Sequence, residues 1–316
     1  MKKPIIVVLI IIMACVYFIY KPIKYNPKFV SDTHVAVENT RYRIPHIFWA
    51  YWHDPDNVPP IVNECFISWR RNYPTYSIII VNGNTISKYI SRDELPRKFD
   101  QIKAHQMRSD FIRLALLRKY GGVWIDASIL MMKPISPVWL DHKYDLAVFY
   151  MPFQENKGRG KLVAENWFIS APKNSEIIEL WEDEFTHGVD DFNTVDDYYK
   201  NIEKEYQINV TTFDTYLSMH ASFMVIIKKN PEIVSNIYVE ACNNPNNPVD
   251  YYNGNIMTVL LFLNNFYFDN YNKDQSMLKL TRYSRICLDQ LSSISHNNSQ
   301  IRVLVRENEE YLKGKR

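Results

Sequence analysis

The sequence predicts an α/β fold, a mainly parallel sheet with helices on both faces, preceded by one transmembrane helix. Three observations predict it. Apolar strand-like runs alternate with helix-period segments from Ile44 onward; a long helical pattern is stopped by Gly121-Gly122; and residues 4–20 form an unbroken apolar stretch.

Residues 1–3 are a short tail. Pro4 to Tyr20 (PIIVVLIIIMACVYFIY) contain about 17 apolar residues, close to the shortest helix that spans a bilayer. No small-residue cleavage site follows, so the stretch reads as an uncleaved signal anchor rather than a removed signal peptide. Lys2 and Lys3 precede it and Lys21 and Lys24 follow. The charge bias therefore gives only a weak preference for a single-pass type II arrangement, facing the Golgi or ER lumen in a eukaryotic cell, and orientation stays open. Residues 21–42 lack a period and carry prolines and scattered charges, which suits a stem.

The globular domain then runs over residues 43–316. IPHIFWAYW from Ile44 reads as a buried strand, PPIVNECFISWRRNYP as an amphipathic helix ended by Pro74, and YSIIIV as a second strand. A short helical piece follows near Ile86 to Ile90. Ile102 to Tyr120 form a long helix, and VWIDASILMM is strand material. DLAVFYM from Asp145 and NWFISA from Asn166 are further strands, with helices over Ser175 to Phe185, Tyr216 to Lys228 and Ile256 to Phe266.

Composition excludes several function classes. Lys+Arg number 37 against 35 Asp+Glu, a net charge of +2, so nothing marks a nucleic-acid backbone as the partner. With 8 Gly, and neither GxGxxG nor GxxxxGK[ST], a dinucleotide fingerprint or a P-loop is disfavoured. Cys65, Cys242 and Cys287 have no CxxC spacing, which argues against a structural zinc site or a disulfide framework.

The chemistry concentrates between Arg108 and Ser128. In SDFIRLALLRKYGG the residues Phe111, Ile112, Leu114, Ala115, Leu116 and Leu117 enclose the helix nearly all round, and Arg113 interrupts them. A charge enclosed in this way needs a partner, and Asp110 lies three residues earlier on the same face. Asp126 ends the next strand, at the carboxyl edge where open α/β sheets bind ligands. Two carboxylates and an arginine converging there suit a divalent cation on a diphosphate, because Mg²⁺ and Mn²⁺ take oxygen ligands. Asp-x-Ser as a spacing alone is weak, and a strand-end Asp capping a turn is the bland alternative.

RSDFIRLALLRKYGGVWIDASI resembles the donor-binding region of the family 32 glycosyltransferases and the capsular polysaccharide synthesis proteins, whose pattern reads SDxxRxxxLxxxGGxxxDxD. IPHIFWAYW, VPPIVNECFISWRRNYPTYSIIIVN and AENWFISAPKNSEIIELWEDEF resemble flanking units of the same family, so the resemblance covers roughly residues 44–185. It implies a GT-A fold and a hexosyltransferase that takes a nucleotide sugar, a UDP-sugar in the first instance, to a glycan or polysaccharide acceptor. Retention of configuration and a Mn²⁺ or Mg²⁺ ion are also implied. On these positions Asp110 and Arg113 would hold the donor sugar and phosphate, Asp126 would start the DxD element, and Ser128 stands where the strict pattern has its second Asp. Trp49, Ala50 and Tyr51 would lie beside the base and ribose, Asn166 would face the donor sugar, and His296 would add a later metal contact. The acceptor would be chosen by the C-terminal part, about 190–316. The rival reading is a non-catalytic sugar- or nucleotide-binding relative that lost metal binding with the change at Ser128.

Overall fold

The computed structural model describes residues 28–33, 43–150, 162–211, 213–242, 276–280, 282, 285 and 300–314. Among them no helix is long and apolar enough to cross a membrane. The anchor expected at residues 4–20, the helix expected at Ile256 to Phe266 and the candidate ligand His296 lie outside the described residues.

Five consecutive apolar residues make β1 (Ile47–Tyr51), which alternates its side chains between two cores: Ile47 and Trp49 face one, Phe48 and Ala50 the other. Proline at the first turn starts α1 (Pro60–Asn72), and β2 (Ser77–Val81) pairs parallel to β1 in register Ile47 to Ser77. A short 3₁₀ turn at Ile86–Lys88 matches the helical piece expected there. The long helix α2 (His105–Tyr120) starts three residues later than the pattern predicts, because Ile102 and Ala104 are extended.

Gly121 and Gly122 terminate α2 for steric reasons. Their φ values are +66° and +96°, and a Cβ on Gly121 would lie 2.4 Å from the backbone nitrogen of Lys173, one on Gly122 2.8 Å from the Ile47 carbonyl. The chain can thus turn directly from helix into β3 (Gly122–Ile125), which pairs parallel to β1.

The strand material of VWIDASILMM divides into two strands, the first ending one residue before the Asp126 expected to close it. Residues 126–128 form a turn closed by the Ile129 N–H on the Asp126 carbonyl at 3.0 Å, and the chain resumes as β4 (Ile129–Met131) in a separate two-stranded sheet with β8 (Met277–Lys279). β5 (Leu146–Tyr150), β6 (Ala164–Ala171) and β7 (Ile237–Ala241) complete the main sheet, of order β2-β1-β3-β6-β5-β7. β6 is antiparallel to both β3 and β5, while β7 is parallel to β5. The sheet is therefore mainly parallel with one reversed strand, since β6 returns alongside β5 instead of crossing over as a parallel pair would require.

One core lies between the sheet and α1, together with α6 (Gln300–Gly314). The other is covered by α2, α3 (Glu176–Asp190) and α5 (Ser218–Lys229). A third, smaller cluster packs α4 (Val195–Tyr206) against α5. α3 runs five residues past its expected end because Gly188 admits the Tyr198 ring, which a Cβ would meet at 2.8 Å. Within the expected stem, residues 28–33 lie against β2: Asp32 N–H donates to the Ile78 carbonyl at 2.9 Å, Ile78 N–H to the Asp32 carboxylate at 2.7 Å, and Ile80 N–H to Ser31 Oγ at 2.9 Å.

Candidate functional site

The reversed direction of β6 assembles the site. β3 ends where β6 begins, so Asp126, one residue past β3, lies beside Glu165 and Asn166 at the same edge of the sheet. The register confirms the proximity, with the Asp126 N–H donating to the Trp167 carbonyl at 2.9 Å. Into this edge α2 sends Asp110 and Arg113 from its enclosed middle turns.

Arg113 is the hub. Its Nη2 lies 2.9 Å from Asp110 Oδ1 and 3.5 Å from Asp126 Oδ1, and donates to Ser109 Oγ at 3.3 Å; Nη1 donates to the Asn166 carbonyl. The guanidinium sits 4.9 Å from the centre of the Trp124 ring, a cation–π contact. The side chain is only 5% exposed, so its charge is tolerable only because these partners surround it. Asn166 Nδ2 donates to Asp110 Oδ1 at 3.2 Å, tying β6 to α2.

The two carboxylates respond oppositely to this environment. Burial pushes Asp110 up to about 6, against the pull of Arg113. Burial also raises Asp126, but Lys279 and Arg113 outweigh it and hold that carboxyl below its ordinary value. Trp124 Nε1 donates to Asp126 Oδ1 at 2.9 Å, and Lys279 Nζ to Asp126 Oδ2 and, at 3.2 Å, to Ser128 Oγ.

These residues form one wall of a cleft of about 510 Å³, large enough for a drug-sized ligand. Of the residues expected beside the base and ribose, Tyr51 lines it; Trp49 and Ala50 do not, being fully buried, with Trp49 Nε1 donating to the Gly121 carbonyl at 3.0 Å. Asp110, Arg113, Asp126, Ser128 and Asn166 all reach the cleft. Arg113 Nε, Trp52 Nε1 and Trp167 Nε1, each on a cleft-lining residue, are buried without a hydrogen-bond partner among the described residues, donors that suit an oxygen-rich ligand.

Sequence reasoning missed Lys279, Arg282 and Arg285, which also line the cleft. The signal was present as KLTRYSR, a basic residue at every third position after a short apolar run. It also missed the buried pair Glu165 and His220, 3.8 Å apart and both lining the cleft. Asp126 and Ser128 stand where a divalent cation was expected, yet they present one carboxylate and one neutral hydroxyl, both already accepting from an ammonium. Among the described residues that donor set does not fit Mn²⁺ or Mg²⁺, which gather several oxygen ligands with negative charge. Among the described residues no group of three or more His, Cys, Asp or Glu could hold a metal ion.

The chain is similar in sequence to named glycosyltransferases. The chain is 28% identical over 170 residues to O-glycosyltransferase PaGT of Phomopsis amygdali, covering 48% of this chain and 41% of that protein. It is 24% identical over 157 residues to inositol phosphoceramide mannosyltransferase 1 of Schizosaccharomyces pombe, covering 48% of this chain and 44% of that protein. The chain thus spans about two fifths of the length of these relatives. Among solved structures, the PaToxG glycosyltransferase aligns at a TM-score of 0.41 and 15% identity over 62% of this chain and 75% of that one. Residues 17–285 match the capsular polysaccharide synthesis protein family, and since that stretch is most of the chain, the chain belongs to this family.

Proposed function

We propose that the cleft binds a nucleotide-sugar donor, a UDP-sugar in the first instance, and that the chain is a GT-A hexosyltransferase moving the sugar to a glycan or polysaccharide acceptor with retention of configuration. The observation that carries this reading is the meeting of Asp110, Arg113 and Asp126 with Asn166 at one sheet edge, inside a cleft that Lys279, Arg282 and Arg285 also line. A sugar offers hydroxyls to carboxylates and an amide, and a diphosphate needs positive charge beside it. Asp110 and Asn166 suit the sugar hydroxyls, Arg113 and Lys279 the phosphates, and Tyr51 with the neighbouring Trp52 offers ring surface to a base.

Transfer breaks the bond between the anomeric carbon and the diphosphate oxygen and forms one to the acceptor oxygen. The electron pair stays on the departing diphosphate, which takes the acceptor's proton. No protein nucleophile is needed for that course; positioning and charge stabilisation are the protein's tasks. Residues 4–20 would anchor the chain as a single-pass type II membrane protein, and the mannosyltransferase name of one relative fits a lumenal setting.

The test is donor hydrolysis by the full chain in detergent across UDP- and GDP-sugars, beside an Asp126→Ala variant. We expect slow release of one nucleotide, reduced at least about 100-fold in the variant. A variant as active as the parent would remove Asp126 from the site, and nucleotide binding without turnover of any donor would favour the non-catalytic relative.

A further inference from the structure

Lys279 lies against the Asp-x-Ser turn at the end of β3. Its ammonium donates to Asp126 Oδ2 and, at 3.2 Å, to Ser128 Oγ, the first and third positions of the Asp-x-Ser turn. The contact is built by the fold: Asp126 and Ser128 flank the step from the main sheet into β4, and β4 pairs antiparallel to β8, with Ile129 opposite Lys279. The Leu280 N–H donates to the Ser128 carbonyl at 2.9 Å and fixes the same register one residue further on. Lys279 is thus placed by backbone pairing on both sides, and its side chain is only 18% exposed.

A divalent cation at Asp126 and Ser128 would have to displace this ammonium or share one carboxylate with it, with like charges repelling at close range. The third position agrees: Ser128 is a neutral acceptor, which suits an ammonium, whereas a second carboxylate is what a divalent ion would need.

We propose that Lys279 takes the place of the divalent cation, so that this chain holds the diphosphate of its donor with protein cations alone. The proposal rests on the nucleotide-sugar reading of the cleft. An ammonium has three N–H donors, and two of those on Lys279 have acceptors among the described residues, which leaves one for a phosphate oxygen. Asp126 then serves to aim Lys279, and Arg113 on the other side of Asp126 supplies a second positive charge. Arg282 and Arg285 add to these charges, so four cations against the three carboxylates Asp110, Asp126 and Glu165 line the cleft before any ligand binds. When the anomeric bond breaks, the electron pair left on the diphosphate oxygen is met by Lys279 and Arg113, and the acceptor proton passes to that oxygen.

The experiment is calorimetric titration of UDP and of GDP into the full chain in detergent, in EDTA and again with Mn²⁺, for the parent, Lys279→Ala, Lys279→Arg and the double variant Ser128→Asp/Lys279→Ala. We expect the parent to bind one nucleotide equally well under both conditions. Lys279→Ala should bind it about 10- to 100-fold more weakly in EDTA, the loss of one charged hydrogen bond, with Lys279→Arg retaining most of the affinity. The double variant should regain affinity only when Mn²⁺ is added. Parent affinity that rises tenfold or more with Mn²⁺ would overturn the proposal while leaving the nucleotide-sugar reading intact. Absence of UDP and GDP binding under both conditions would overturn both. The parent's metal response needs no variant, so a variant that misfolds does not weaken the test.

Discussion

Arg113 touches Asp110, Asp126, Ser109, the Asn166 carbonyl and the face of Trp124 at once, and removing it leaves a buried carboxylate without its partner. Arg113→Ala should therefore lose nucleotide binding and also about 3–5 kcal/mol of stability, read from urea denaturation. A stability change near zero would show that Asp110 finds another partner or becomes protonated at little cost. Much of this residue-scale picture could be read from the chain. Asp110 and Arg113 stand out because a charge interrupts an otherwise apolar helix, and the two lie one turn apart. Lys279 could not be read that way, since it sits 153 residues from Asp126, and only the pairing of β4 with β8 brings the two together. Trp49 and Ala50 show the opposite failure. A strand apolar on both faces does not disclose which side chains end in a core and which reach its mouth.

At the scale of elements, α2 and α3 are joined by Arg118, which reaches Glu179, Glu182 and Asp183. Burial pushes Glu182 up to about 7, the Arg118 hydrogen bond opposing it. Its carboxyl is thus harder to ionise in the folded chain than in the unfolded one. The stability this group contributes is complete below its ordinary value of 4.5 and is lost as pH rises through about 7. Glu182→Gln, which mimics the protonated form, should be more stable than the parent above pH 7 by about 1–3 kcal/mol, and the difference should vanish toward pH 4.5. Urea titrations at the two ends of that range would show it, and a constant offset would mean that Glu182 stays ionised when folded. The elements legible in the sequence were those with strong patterns: β1, α1, β2, α2 and the glycine stop, then β5, β6, α3 and α5. β7 and β8 are short, α4 is dense in charge and tyrosine, and α6 is largely polar, so their apolar periods were too brief or too diluted to stand out.

Across the whole molecule, the sheet sets where chemistry can occur. Reversal of β6 gathers side chains from α2, the turn after β3, β6 itself and β8 onto one edge. The alternation of strands and helices announces an α/β layering, but periodicity carries no information on strand direction, and so the reversal of β6 was not foreseen, although Asn166 at its start was expected at the site. The hydrogen bonds of Ser31 and Asp32 to Ile78 and Ile80 have a practical side at this scale, because β2 is one of the two outer strands of the sheet. Unsheathed, such a strand offers its amides and carbonyls to any other copy, and edge-to-edge stacking into insoluble assemblies follows. A soluble version cut after Thr33 should aggregate, whereas one cut before Lys28 should stay monomeric, as light scattering on a sizing column would reveal. Equal behaviour of the two would mean that the edge needs no cover. A handful of residues in what reads as a mere stem would then decide whether the domain behind it stays dispersed once the residues before it are removed.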